Sequence, residues 1–111
     1  MHRQYPPYTT QVSENKTASR LLNTQYINST GRTMFVHTSV RCTTPLIGDR
    51  AVAWFTPRVA TISAVVGYLT GVMPATYFAM PGVVRPGDRY QVTTLLTGTG
   101  TVTLNYWFES Y

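Results

Sequence analysis

The chain has 111 residues, and its nine basic side chains, eight of them arginine, stand against four carboxylates for a net charge of +5 and a pI near 9.7. That length suits one domain, with enough surface to bury for a core without metals or disulfides; it excludes a second domain, and the single thiol, Cys42, excludes an internal disulfide. No stretch approaches the roughly 20 consecutive apolar residues of a membrane helix, and Met1-His2-Arg3 runs into Gln4-Tyr5-Pro6-Pro7 instead of an apolar signal core, so a soluble chain without membrane insertion is expected.

Residues 1–16 read as an extended N-terminal arm, and residues 17–111 as a β domain. Tyr5-Pro6-Pro7-Tyr8 favours extended backbone, with its tyrosines available as anchors on a neighbouring protein. Ser13 to Leu22 is the one opening for a helix, because Glu14, Lys16, Ala18, Arg20 and the leucines are adequate formers and Ser13 suits a cap. From Asn23 onward threonine, valine and aromatic residues dominate, as a pleated surface requires.

Leu22 to Asn28 predicts a strand leading into a turn at Ser29-Thr30-Gly31-Arg32. Thr33 to Cys42 alternates, with Met34, Val36, Thr38, Val40 and Cys42 on one face and Phe35, His37 and Ser39 on the other. After Thr43-Thr44-Pro45 and Gly48-Asp49, a strand from Arg50 to Phe55 is stopped by Pro57, and another from Val59 to Val66 is stopped by Gly67. Met73-Pro74 and Met80-Pro81-Gly82 bracket a short run containing Tyr77 and Phe78. Val84 to Val92, with a type II turn at Pro86-Gly87, and Thr101 to Glu109 are expected to pair as a hairpin through Thr97-Gly98-Thr99-Gly100. Alternation places Val102, Leu104, Tyr106 and Phe108 on one face, and Thr103, Asn105, Trp107 and Glu109 on the other. Turn signals at this spacing predict an all-β fold, an antiparallel β-sandwich or jelly-roll-like domain.

Groups for catalysis are sparse. His2 and His37 are far apart and Cys42 is alone, so no metal or cofactor is expected. His37 and Cys42 fall on opposite strand faces and cannot pair locally, which leaves His37 as a buried or interface residue. Asp49 and Asp88 sit beside glycines in turns, where aspartate bonds local backbone. A glycosidase would need two carboxyls held across one bond, hence those two meeting in space, and no enzyme is expected. Asn15-Lys16-Thr17 and Asn28-Ser29-Thr30 match the glycosylation pattern but read as polar turn and linker residues.

What remains is rich in tyrosine, tryptophan, arginine, threonine and asparagine, types that enrich recognition surfaces. Phe35, Tyr90, Tyr106 and Phe108 are expected in the core. Arg58, Tyr68 and Tyr77, near strand ends or loops, are candidate ligand contacts, with Trp54 a further one. Dispersed arginines suit an anionic partner and argue against a dedicated nucleic-acid site.

Three segments together resemble the C-terminal tip domain of bacteriophage tail fibres. Tyr26-Ile27-Asn28-Ser29-Thr30-Gly31-Arg32-Thr33-Met34-Phe35-Val36 resembles that family's opening Tyr-x-Asn-x-Thr-Gly-Arg/Lys-Pro-Ile/Met-x-Val, with Thr33 at the proline position. Val84-Arg85-Pro86-Gly87-Asp88-Arg89-Tyr90-Gln91-Val92 resembles its Val-Pro-Pro-Gly-x-x-Tyr-x-Val turn, and Tyr106-Trp107-Phe108-Glu109 its closing Trp-x-Glu. The resemblance spans about Arg20 to Glu109. It implies a small β-sandwich that assembles as a homotrimer at the end of a fibre on the virion and contacts host-surface glycans or another anionic receptor. Asn28, Gly31, Pro86, Gly87, Trp107 and Glu109 match the family's scaffold signature, whereas receptor contacts there come from variable loops. A second expectation is a structural virion subunit, a capsid decoration or a tail or fibre connector, held to other virion proteins by its N-terminal arm.

Overall fold

A computed structural model describes residues 11–57 and 67–111. The alternating segments become eight strands: β1 (Ser13–Asn15), β2 (Tyr26–Ile27), β3 (Met34–Thr44), β4 (Arg50–Pro57), β5 (Gly67–Thr70), β6 (Met73–Val84), β7 (Arg89–Thr97) and β8 (Thr101–Ser110). They form two antiparallel four-stranded sheets, in the orders β1-β8-β3-β6 and β2-β7-β4-β5. Every connection except β4 to β5 carries the chain from one sheet to the other, which gives the double-sheet jelly-roll connectivity.

The inward face of β3 is the one the alternation predicts, with Met34, Val36, Thr38, Val40 and Cys42 all buried. Against it pack Ala51, Ala53 and Phe55 of β4, Met80 and Val84 of β6, Tyr90 and Val92 of β7, and Trp107 of β8. Each large side chain removed from water in this way contributes roughly 1.5–3 kcal/mol. Burial also pushes the Cys42 thiol above its ordinary pKa, so the group stays protonated and unreactive.

Several sequence expectations are corrected. Ser13–Leu22 is not a helix: Ser13, Glu14 and Asn15 pair with Ser110, Glu109 and Phe108, and a single 3-10 turn, Thr17–Ser19, follows. A ten-residue helix has little stability of its own, and the open edge of β8 offers the backbone a ladder instead. β2 covers two residues, not the stretch from Leu22 to Asn28, while β3 continues to Thr44. Pro74 and Pro81 do not interrupt β6, which runs for 12 residues. Among the described residues β6 is an edge strand with β3 as its sole partner, where proline is tolerated, and Pro74 lies at the register shift between Met73 and Thr76. The strand expected from Val59 to Val66 lies outside the described residues.

The expected terminal hairpin is also absent. The turn at Pro86-Gly87 forms as predicted, with Gly87 at φ +81° and the Asp88 N–H donating to the Arg85 carbonyl at 3.1 Å, but it carries the chain from β6 to β7 across the sandwich. The Thr97–Gly100 link crosses back, so β7 and β8 belong to opposite sheets. Asp49 holds that crossing: its carboxylate accepts from the Thr99 N–H at 2.9 Å, the Thr99 hydroxyl at 2.6 Å and the Leu46 N–H at 2.8 Å. These bonds, from Thr99 foremost, hold the Asp49 carboxyl below its ordinary pKa.

A β-bulge changes the phase of β8. Tyr106 faces Ser39 and Leu104 faces Val40, so Asn105 has no partner of its own. Val102 and Leu104 lie toward the core before the bulge; Trp107 and Glu109 do so after it, and Tyr106 and Phe108 turn outward. Strict alternation put Trp107 and Phe108 on the wrong faces for that reason. Phe35, also expected in the core, is 54% exposed, and His37, expected to be buried or at an interface, is not buried within the chain.

Candidate binding surface

The three signature segments meet at one side of the sandwich. β2 pairs with the start of β7, Tyr26 opposite Tyr90 and Ile27 opposite Arg89. Asn28, fully buried, then ties the two turns together. Its side-chain nitrogen donates to the carbonyls of Arg32 at 2.8 Å and Val84 at 3.0 Å, and its side-chain oxygen accepts from the Thr30 N–H and hydroxyl. Its backbone exchanges bonds with Asp88 and Gly87, both 2.8 Å. Gly31, at φ +76°, closes the 28–32 turn. An amide in this position serves the scaffold, as a turn residue was expected to.

Beside this clamp lies a charged node. The Glu109 carboxylate accepts from Arg20 Nε and Nη2 at 3.0 Å each, from the Tyr90 hydroxyl at 2.6 Å and from the Trp107 indole N–H at 2.9 Å. Four donors satisfy a carboxylate whose side chain is 4% exposed. The Arg20 guanidinium also lies over the Tyr26 ring, 4.4 Å from its centroid. Burial, followed by the bond to Glu109, pushes the Tyr90 hydroxyl far above its ordinary pKa. Arg20 was read from the sequence as a helix former. The signal that reveals it is Glu109, an acidic residue two positions from a tryptophan on the same strand face, which demands a cation once buried.

A different property marks the outer face of the β1-β8-β3-β6 sheet. Phe35 stands opposite Val83, His37 between Pro81 and Phe108, Ser39 between Ala79 and Tyr106, and Arg41 opposite Tyr77. Phe35, Tyr77, Val83 and Phe108 are each between 38% and 58% exposed. The rings of His37 and Tyr106 meet edge to face at 6.1 Å, and those of Tyr106 and Phe108 lie tilted at 5.5 Å. These side chains group partly exposed aromatic and aliphatic surface on one face of the sheet, with His37 and Arg41 among them.

The structure places the sequence-predicted contacts apart. Tyr77 lies on this aromatic face, and Trp54, half-buried, on the outer face of the opposite sheet, across from Thr93. Arg58 and the side chain of Tyr68 lie outside the described residues. Asp49 and Asp88 do not meet: they sit beyond opposite ends of the nine-residue β7, about 30 Å apart along the strand axis. No protein-family model matches the chain, and no curated protein or solved structure is significantly similar to it.

Proposed function

We propose that the chain is an adhesion module of a virion, resembling a bacteriophage tail-fibre tip, which associates as a homotrimer and binds host-surface glycans or another anionic receptor. The observation that carries this reading is the aromatic face built on Phe35, Tyr77, Val83 and Phe108, which a lone monomer would leave to water. A second copy covering it removes that cost. Sheet-edge pairing is a poorer route to assembly, because β6 carries Pro74 and Pro81 and β1 is three residues long. The convergence of all three signature segments on one clamp and one node also supports the resemblance. At the level of fold alone, double-sheet jelly rolls recur in viral capsid and lectin domains, an analogy that fits both this reading and that of a structural virion subunit.

The test is the mass of the purified protein by light scattering at low and moderate salt, followed by binding to a glycan panel. A trimer that persists in salt and retains glycans is the expected result. A monomer without glycan binding overturns the proposal, and a monomer that assembles on virion particles transfers it to the structural subunit.

A further inference from the structure

Where β1 and β2 form the edges of the two sheets, the sandwich stays open, because these strands supply three and two residues. A cleft of about 120 Å³ lies there. Buried Met34, Tyr90 and Glu109 form its floor; Glu14, Lys16, Arg20 and Tyr111 stand around it, and exposed Ile27 and Ser29 form its rim.

Glu14 and Glu109 are directly opposite in the β1–β8 register. Two carboxylates so placed repel, and each is neutralised separately. Glu109 has the donors of the node, while Glu14 has Lys16 Nζ at 3.0 Å and the Tyr111 hydroxyl. With two acids and two bases, the side chains of the lining carry no net charge. Hydrogen-bonding capacity remains on both sides of the balance. Among the described residues Arg20 uses Nε and Nη2 and leaves Nη1, Lys16 retains two of its three protons, and each Glu14 oxygen accepts one bond where it has room for about two.

Donors and acceptors side by side without net charge suit neighbouring hydroxyl groups, which donate and accept together. An anion would meet two carboxylates and a cation two bases. The volume equals that of about four waters, which matches the hydroxyl-bearing edge of one sugar ring, and Ile27 at the rim offers apolar contact to ring carbons. We propose that this cleft binds the neutral vicinal-diol edge of a single sugar unit. The inference rests on the receptor-binding reading above and assigns it a location and a ligand chemistry.

Trp107 supplies the readout, since its indole N–H donates to the same Glu109 oxygen that receives Arg20 Nε. The experiment follows the Trp107 indole N–H resonance of nitrogen-15-labelled protein during titration with methyl α-glucopyranoside, methyl α-galactopyranoside, methyl α-mannopyranoside and, separately, glucuronate. At least one neutral sugar is expected to shift it saturably and equally at low and moderate salt. Ser29→Trp, which fills the rim from an exposed loop, and Lys16→Ala are expected to weaken that binding about tenfold or more, with the rest of the spectrum unchanged. Silence with all three neutral sugars overturns the proposal, as does a response to glucuronate alone that fades with salt, or undiminished binding in both variants. Glycan-panel adhesion of the Ser29→Trp variant separates the two readings. Full adhesion removes the cleft and leaves the adhesion module standing; sugar binding in a wild-type cleft without any adhesion does the reverse.

Discussion

Arg20 and Glu109, 89 positions apart in the sequence, form a two-pronged pair at 3.0 Å at the open side of the sandwich. Removing one member strands the other in a largely dehydrated site, a loss of about 3–5 kcal/mol. Arg20→Ala is therefore expected to lower the chemical denaturation midpoint sharply with little change in slope. Arg20→Lys, which keeps the charge and loses the fork, should fall between. A midpoint for Arg20→Ala within error of the wild type would show that the pair contributes nothing.

Tyr90 makes the node sensitive to alkali. Its folded pKa is raised, by burial first and then by Glu109, above the ordinary value of 10.0. A raised value means that the folded state favours the neutral phenol. The associated stability is complete below about pH 10 and is lost as the pH climbs toward the folded value. Tyr111, raised by its bond to Glu14, acts in the same direction. Tyr90→Phe should thus unfold less steeply with pH above 10 while losing about 1.5–3 kcal/mol at neutral pH with its bond to Glu109. Parallel stability–pH curves for the two proteins would contradict this.

Burial on β3 was legible because its period of two is uninterrupted over Met34 to Cys42, and the Pro86-Gly87 turn because proline and glycine fix their own dihedrals. Trp107 and Phe108 were misplaced by a local event, the bulge at Asn105, which no periodicity signals in advance. Sheet membership was invisible at the Thr97–Gly100 link. A short glycine-containing loop serves a hairpin or a crossing equally well, and the choice is made by Asp49, some 50 residues away, bonding Thr99. At the candidate site, Asn28, Trp107 and Glu109 were found by resemblance, but their partner Arg20 required the fold, since its charge finds Glu109 through space.

Gly82 of β6, opposite Val36, lies against the Phe55 ring of the facing sheet. A Cβ added there would fall within the Phe55 ring. Phe55 is buried and cannot swing into solvent, so Gly82→Ala is expected to cost about 1–3 kcal/mol by overpacking. Pairing it with Phe55→Leu, which vacates the ring's space, should recover part of that loss. Additive losses in the double variant would mean that the two positions do not compete for space.

The aromatic face separates association from folding. Phe35 and Phe108 are 54% and 38% exposed and point away from the core that Met34, Val36 and Trp107 fill. Polar replacement of both therefore leaves the core intact and removes about half of a buried side chain's contribution at each position, about 1 kcal/mol each. If copies of the chain meet on this face, Phe35→Ser with Phe108→Thr should shift the mass in light scattering to the monomer while the circular dichroism spectrum remains that of a β protein. Reversal of Trp54, on the opposite sheet, to serine serves as the control and should leave the mass unchanged. An assembly that survives the double replacement but dissolves with Trp54→Ser would place the contact on the β2-β7-β4-β5 sheet, and the face bearing Phe35 and Tyr77 would then lose its role in association.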